Sequence, residues 1–156
     1  MNTLAQLQES MARLGTLLDD VEEIIEEPDG DAWSIEFTSG DILEVEFDEA
    51  GQRIAFSMVL GTPPPEHRAH TCEMLLTFNL LWQEDVPVRM AVGAPSEEVV
   101  QVAEFDLATM QPEDLPRHAI DFAAVADQWR EHVLSGFQLD EAIPSLRMEH
   151  IGAVRA

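Results

Sequence analysis

The sequence is poor in basic residues and contains no lysine. Its 156 residues include eight arginines against 31 aspartates and glutamates, which gives a formal net charge of -23 at pH 7. A surface this negative repels the phosphates of nucleic acids and anionic membrane surfaces, so neither is an expected partner. The same charge favours basic partners, and it opposes self-aggregation in a protein that exposes apolar binding strips.

Cysteine and long apolar runs are also scarce. Cys72 is the single cysteine, so no internal disulfide can form and a reducing cytoplasm is the simplest expectation. The amino terminus MNTLAQLQES has neither the basic region nor the apolar core of a secretory signal, and no window reaches the length of a membrane span. We therefore expect no membrane insertion, and the length fits one domain of ordinary size.

No sequence motif supplies a catalytic or cofactor site. GxGxxG, Walker and GxSxG patterns are absent. His67, His70 and Cys72 are the best candidates for metal ligands, but their spacing matches no familiar site and a second ligand pair is missing. We interpret them as a polar start to the second helix, and we expect no enzymatic activity, no metal and no cofactor.

The amino-terminal segment has apolar residues at spacings of three and four, which predict an amphipathic helix. These residues are Leu4, Leu7, Met11, Leu14 and Leu18. The stretch 19–31 that follows is strongly acidic and includes the turn signal Pro-Asp-Gly. We interpret it as a solvated helix end and loop, with a docking surface for a basic partner as the alternative.

Residues 32–60 alternate apolar and polar side chains with a period of two, interrupted by two short turns that contain glycine. This pattern predicts an antiparallel meander of three strands with one wet face. Helical spacing returns at 66–84 and at about 116–134, with two strands predicted between them. The order α-β-β-β-α-β-β-α predicts an α+β fold with a mostly antiparallel five-stranded sheet and three main helices.

The second predicted helix is apolar around much of its circumference. Met74, Leu75, Phe78, Leu81 and Trp82 mark one side, and Leu76 and Leu80 widen it. A helix that is apolar on two sides usually buries the second side against another element or another subunit. We expect a single domain at residues 1–136, followed by a tail at 137–156 that is flexible or forms a short helix.

The order of elements and several motifs resemble a known family. The motifs are ARLG in the first helix, VLG at the end of the meander, MLLTFNLLW, VPVRMAV, VAEFDL and FAAVADQWREHV. Together they cover about residues 4–134 and resemble the class I type III secretion chaperones, the CesT-like (Tir chaperone) family. Two features depart from many members: the long acidic stretch 19–31 and the long tail.

The resemblance implies a homodimer in the bacterial cytoplasm that binds the amino-terminal segment of one or more secreted effectors in extended form. Such a protein keeps its effectors soluble and competent for secretion, and the secretion ATPase is a further partner that the resemblance admits. The dimer contact implied for this chain consists of Leu75, Phe78, Asn79, Leu81, Trp82, Val88 and Met90. The implied effector groove is bordered by Leu4, Leu7, Met11, Ile42, Ala55 and Ser57.

Two other functions stay open at the level of sequence. An acidic immunity or inhibitor protein that blocks a basic partner would also explain the net charge of -23. It should bind a folded basic protein with strong salt dependence, whereas a chaperone should bind an isolated amino-terminal peptide and tolerate salt better. A small hydrolase or metalloenzyme is the third function, and stoichiometric zinc or iron would support it.

Overall fold

The computed structural model describes residues 4–81, 88–93 and 95–137, without the side chains of Leu17 and Leu81. Within these ranges the chain forms three α-helices and six strands. They are α1 (Leu4–Leu17), β1 (Val21–Glu26), β2 (Ala32–Phe37), β3 (Ile42–Asp48), β4 (Arg53–Gly61), α2 (Arg68–Leu81), β5 (Val88–Val92), β6 (Val99–Asp106) and α3 (Leu115–Ser135). No helix in the described ranges is both long enough and apolar enough to cross a membrane.

The strands form one sheet in the order β1-β2-β3-β4-β6-β5. Strands β1 to β4 pair as an antiparallel meander, in which Val45 lies opposite both Trp33 and Phe56. Burial alternates strictly along β2, β3 and β4, because every second side chain faces the core. The predicted α+β fold is confirmed, and so is the predicted meander.

The sheet has six strands in the described residues, not the five predicted, because β1 lies inside the acidic stretch that we interpreted as a loop. Its sequence VEEIIE does not alternate, because two isoleucines are adjacent, and the register with β2 shifts between Val21 and Glu23. Ile24 lies opposite Ile35, and Val21 opposite Phe37. Pairing with β2 therefore creates this strand, although its own pattern does not predict one.

The chain divides into two compact units. The first comprises Met1–Met58 and Ala103–Ile120, and the second comprises Val59–Val102 and Asp121–Ala156. In the first unit the predicted helical stripe is buried at Leu7, Met11 and Leu14, together with Trp33 and Ile35 of β2. The prediction of a single domain stays a prediction, and of the predicted tail only Phe137 lies within the described residues.

The second unit is organised around Trp129 of α3, which is fully buried. The ring of Phe78 packs edge-on against it with centroids 4.7 Å apart, and Phe137 lies 5.8 Å from it. Gly136 ends α3 with a φ of +73°, and the amide of Phe137 donates to the carbonyl of His132 at 2.9 Å. This is a glycine C-terminal cap, so the predicted end of the helix is confirmed.

Candidate functional site

A groove of about 390 Å³ lies between α1 and β1 in the first unit. Its walls come from residues 8–16 of α1 and residues 21–26 of β1, and Trp33 of β2 contributes to the lining. Met11 and Trp33 are 1% and 2% exposed, so they form the floor. The groove is therefore a slot with an apolar floor beside an edge strand.

A close approach at Gly15 and the hydrogen bonds of Gln8 position α1 beside β1 and the turn that follows it. At Gly15 the helix approaches the strand so closely that a β-carbon would lie 3.4 Å from Cδ1 of Ile24. The side-chain amide of Gln8 donates to Oε1 of Glu26 at 3.0 Å and to the carbonyl of Gly30 at 3.3 Å. The hydrogen bonds of Gln8 thus connect the start of the groove on α1 to the end of β1.

Within the described residues the β1 strand has an open edge beside the groove, because it is the first strand of the sheet order. The amide of Glu27 donates to the carbonyl of Ala32 at 2.9 Å, so Glu27 faces β2. Backbone groups alternate in direction along an antiparallel pair, so those of Ile24 and Glu26 point to the open edge. Such an edge is a template for another strand.

The groove is negatively charged. Glu22, Glu23 and Glu26 belong to the strand that lines it, although the Glu23 side chain projects to the opposite face of the sheet. No arginine is among the described residues that line the groove. Glu23 also lies directly opposite Glu36 of β2, a like-charge pair that disfavours any further negative charge nearby. The acidic stretch therefore contributes a charged wall to a slot with an apolar floor, which its sequence pattern alone did not indicate.

The expected groove residues on α1 occupy different positions. Leu7 and Met11 are 0% and 1% exposed, so they are core residues, although Met11 also forms the groove floor. Leu4 is half-buried at the start of the helix. The side chain of Leu7 is therefore not accessible to a partner in this structure. The apolar stripe that predicts the helix packs into the core.

The expected partner residues on the meander lie on its outward face. Ile42 is 46% exposed, whereas Ala55 and Ser57 are half-buried. Ser57 lies opposite Glu44, whose Oε2 accepts a hydrogen bond from the hydroxyl of Ser34 at 2.7 Å. Their contact with a partner remains a prediction, and the face that they occupy is acidic and only sparsely apolar.

Most residues expected at the dimer contact are buried within the second unit. Leu75, Phe78, Val88 and Met90 are between 1% and 8% exposed. Trp82 and the side chain of Leu81 lie outside the described residues. The exposed apolar side of α2 is instead formed by Leu76 and Leu80, which are 67% and 83% exposed. In the sequence, Leu76 and Leu80 widen the apolar side of this helix, which is the pattern that predicts a second buried side.

Asn79 has a specific intramolecular role. Its Nδ2 donates to the carbonyl of Met90, and its Oδ1 accepts from the amide of Met90, both at 2.9 Å. The side-chain amide thus imitates the pairing of a neighbouring strand on β5, which is the last strand of the sheet order. At Met90 this edge of the sheet is closed, whereas no described strand covers β1.

The candidate metal ligands do not converge. No group of three or more potential ligands that could hold a metal ion occurs in the ranges that the structure describes. Next to His67, the Arg68 guanidinium forms an ion pair with Glu97. This hydrogen bond lowers the pKa of the Glu97 carboxylate and raises the pKa of Arg68. Both side chains are exposed, so the pair connects α2 to the β5–β6 turn without burying charge.

The sequence matches the family described as the Tir chaperone protein (CesT) family over residues 7–130. The chain belongs to the CesT family. No curated protein sequence matches it. CesT proteins are binding proteins without enzymatic activity, so the family assignment agrees with the prediction that this chain is not an enzyme, and the predicted resemblance is confirmed.

Solved structures share the fold at low sequence identity. The ExsC–ExsE complex matches with a TM-score of 0.69 and 12% identity, covering 86% of this chain and 98% of that chain. The HopA1–SchA chaperone–effector complex matches at 0.63 and 11%, covering 82% and 95%. The ExoU–SpcU complex of the Pseudomonas aeruginosa type III secretion system matches at 0.53 and 17%, covering 81% and 97%. The CesT chain therefore has the fold of these proteins.

Proposed function

We propose that this CesT protein is a homodimeric type III secretion chaperone. It binds the amino-terminal segment of one or more effectors in extended form and keeps them soluble and competent for secretion. The observation that carries this proposal is the edge of β1, which no described strand covers, beside the groove of the first unit. Family membership supports it, as do the structural likenesses, which include one chaperone–effector complex and one type III secretion complex.

The proposed binding mode is strand addition. An extended segment forms hydrogen bonds with the backbone of Ile24 and Glu26, and alternate side chains enter the groove between α1 and β1. The groove volume of about 390 Å³ is near the lower limit for ligand pockets, so it suits side chains of a segment and not a folded domain. Beyond the groove, the client segment has two alternative paths: past Leu4 at the start of α1, or over the outward face of the meander at Ile42, Ala55 and Ser57.

The proposed dimer uses the exposed apolar side of α2. Leu76 and Leu80 are separated by one helical turn, and Val92 of β5 is 43% exposed in the same unit. Isolated apolar residues are normal on a surface, but two leucines this exposed on one helix favour a covering partner. We place a second copy there, with the contact extending toward the predicted residues of α2 and β5.

Co-purification tests the function directly. The chain is co-expressed with tagged products of neighbouring genes, and a captured complex is digested to map the protected segment. We expect protection of an amino-terminal client segment that lacks a fold of its own. Protection of a folded catalytic domain with a free amino terminus would contradict the proposal.

A variant of the groove makes this test specific. Gly15→Leu fills the slot beside Ile24 and should reduce capture of the client, because a β-carbon at this position is already in contact with the strand. Ala5→Leu is the control, since Ala5 is exposed on the same helix and does not line the groove. Equal capture by both variants would place the client elsewhere.

The net charge keeps the acidic inhibitor as a second candidate. An inhibitor of a folded basic protein should lose affinity steeply as salt rises, because exposed charge pairs are screened. Strand addition retains its backbone hydrogen bonds in salt and loses only the part of the affinity that comes from exposed charged side chains. The affinity for the captured partner, measured at 50 mM and 500 mM NaCl, therefore separates the two functions. Binding to the secretion ATPase is a separate prediction.

A further inference from the structure

We infer that the segment added at β1 carries a basic–apolar–apolar–basic motif, in which the basic residues are arginine or lysine. This inference rests on the proposed function, because it assumes that an extended segment binds at this edge. It names the chemistry of that segment from the residues of β1 that the segment would meet.

The register of β1 determines which side chains an added strand faces. Ile24 and Glu26 lie opposite Ile35 and Trp33, whose side chains are buried, so they project toward the α1 side of the sheet. Glu23 and Ile25 alternate with them and project to the other side. The row Glu23-Ile24-Ile25-Glu26 therefore presents one apolar and one acidic side chain on each side of the sheet.

An added strand places one residue opposite each member of this row. Opposite charges in such pairs are stabilising and like charges are destabilising. In the added strand, apolar residues are favoured opposite Ile24, which lines the groove, and opposite Ile25, which is 47% exposed. The complementary pattern reads the same from either end, so it applies to parallel and antiparallel addition alike.

The carboxylates of β1 are not neutralised by basic side chains of the groove. Glu26 accepts a hydrogen bond from Gln8, which is a neutral amide. Glu23 is opposite another carboxylate, that of Glu36, and Arg13 of α1 is not among the residues that line the groove. Among the described residues no basic side chain lines the groove, so its carboxylates favour a partner that brings positive charge, and the overall charge of -23 adds long-range attraction for a basic segment.

Four capped, fluorescently labelled dodecapeptides test the motif. They share serine- and threonine-rich flanks and differ in the central four residues: RIVR, the scrambled IRRV, the neutral QIVQ and the acidic EIVE. Binding to the full chain is measured by fluorescence anisotropy in 50 mM NaCl. Two favourable cross-strand pairs predict that RIVR binds about tenfold more tightly than QIVQ, and that EIVE binds most weakly.

Matched variants separate a specific edge from general attraction. E23Q/E26Q should remove the preference for RIVR, whereas E66Q/E131Q, which removes the same charge from exposed positions outside the groove, should retain it. E23R/E26R should reverse the order and prefer EIVE. This gain of binding is a result that an unfolded variant could not produce.

Equal binding of RIVR and IRRV, or equal losses in the two glutamine variants, would overturn the inference in favour of simple net-charge attraction. If QIVQ binds as well as RIVR and Gly15→Leu abolishes both, the groove binds extended chains but does not select basic residues. In that case the proposed function stands and the inference fails. If no peptide binds, both the proposed binding mode and the inference fail.

Discussion

Replacing the two exposed leucines of α2 should dissociate the proposed dimer without unfolding the subunit. In Leu76→Glu/Leu80→Glu both new carboxylates lie at positions that are 67% and 83% exposed in the subunit. Complete burial of a leucine is worth about 1.5–3 kcal/mol. Scaled by these exposures, the four leucines of a dimer contribute about 4.5–9 kcal/mol if the contact buries them completely. This corresponds to about a thousandfold to a millionfold in the dimer dissociation constant.

Sedimentation equilibrium and light scattering measure this change, and circular dichroism measures retention of the fold. We expect a dimer mass for the unmodified chain and a monomer mass for the double variant. The double variant should keep the far-ultraviolet spectrum of the fold but melt at a lower temperature, because dimerisation stabilises the folded subunit. Ile42→Glu/Ile120→Glu is the matched control, because these residues are 46% and 47% exposed in the first unit. A double variant that keeps the dimer mass would refute the placement of the interface on α2.

The buried residues expected at the same contact should respond differently. Phe78 and Met90 are 8% and 6% exposed, and Phe78 packs against Trp129. A glutamate at either position places an unpaired charge in the interior, which costs several kcal/mol. Phe78→Glu/Met90→Glu should therefore unfold the second unit, so a loss of dimer mass in this variant would carry no information about the interface.

Three further predictions follow from individual contacts. Asn79→Leu should destabilise the fold by about 1–3 kcal/mol in urea titrations, because it leaves the backbone groups of Met90 without the partner shown here; unchanged stability would contradict this role. Gly136→Ala should destabilise more than Gly40→Ala, since both have positive φ but only the former would collide with His67; equal melting temperatures would argue against the collision. Carbodiimide should couple a bound lysine peptide KIVK to carboxylates of β1, because the chain offers no competing lysine; peptide mapping that places the adducts outside 22–26 would refute this edge.

Much of the fold could be predicted from the sequence, because a helix or strand that buries one face has a regular spacing of apolar residues within its own segment. The stripe of α1 and the alternation of β2, β3 and β4 each reflect a regular backbone that places every turn or every second residue toward the core. The strand β1 could not be predicted in this way. Its adjacent Ile24 and Ile25 break the period, and only Val21 and Ile24 reach half-burial, so its pairing with β2 is the deciding interaction.

The residues of the candidate site could be predicted less well from the sequence. Apolar periodicity predicts that a stripe exists, but it does not say whether the core or a partner covers it. Leu7 and Phe78 were expected at partner surfaces and lie in the interior, whereas Leu76 and Leu80 remain exposed. The sequence by itself determined the charge, the α+β class and the family resemblance. Tertiary structure alone decided the open edge, the groove and the exposed leucines, because burial depends on segments that are distant along the chain.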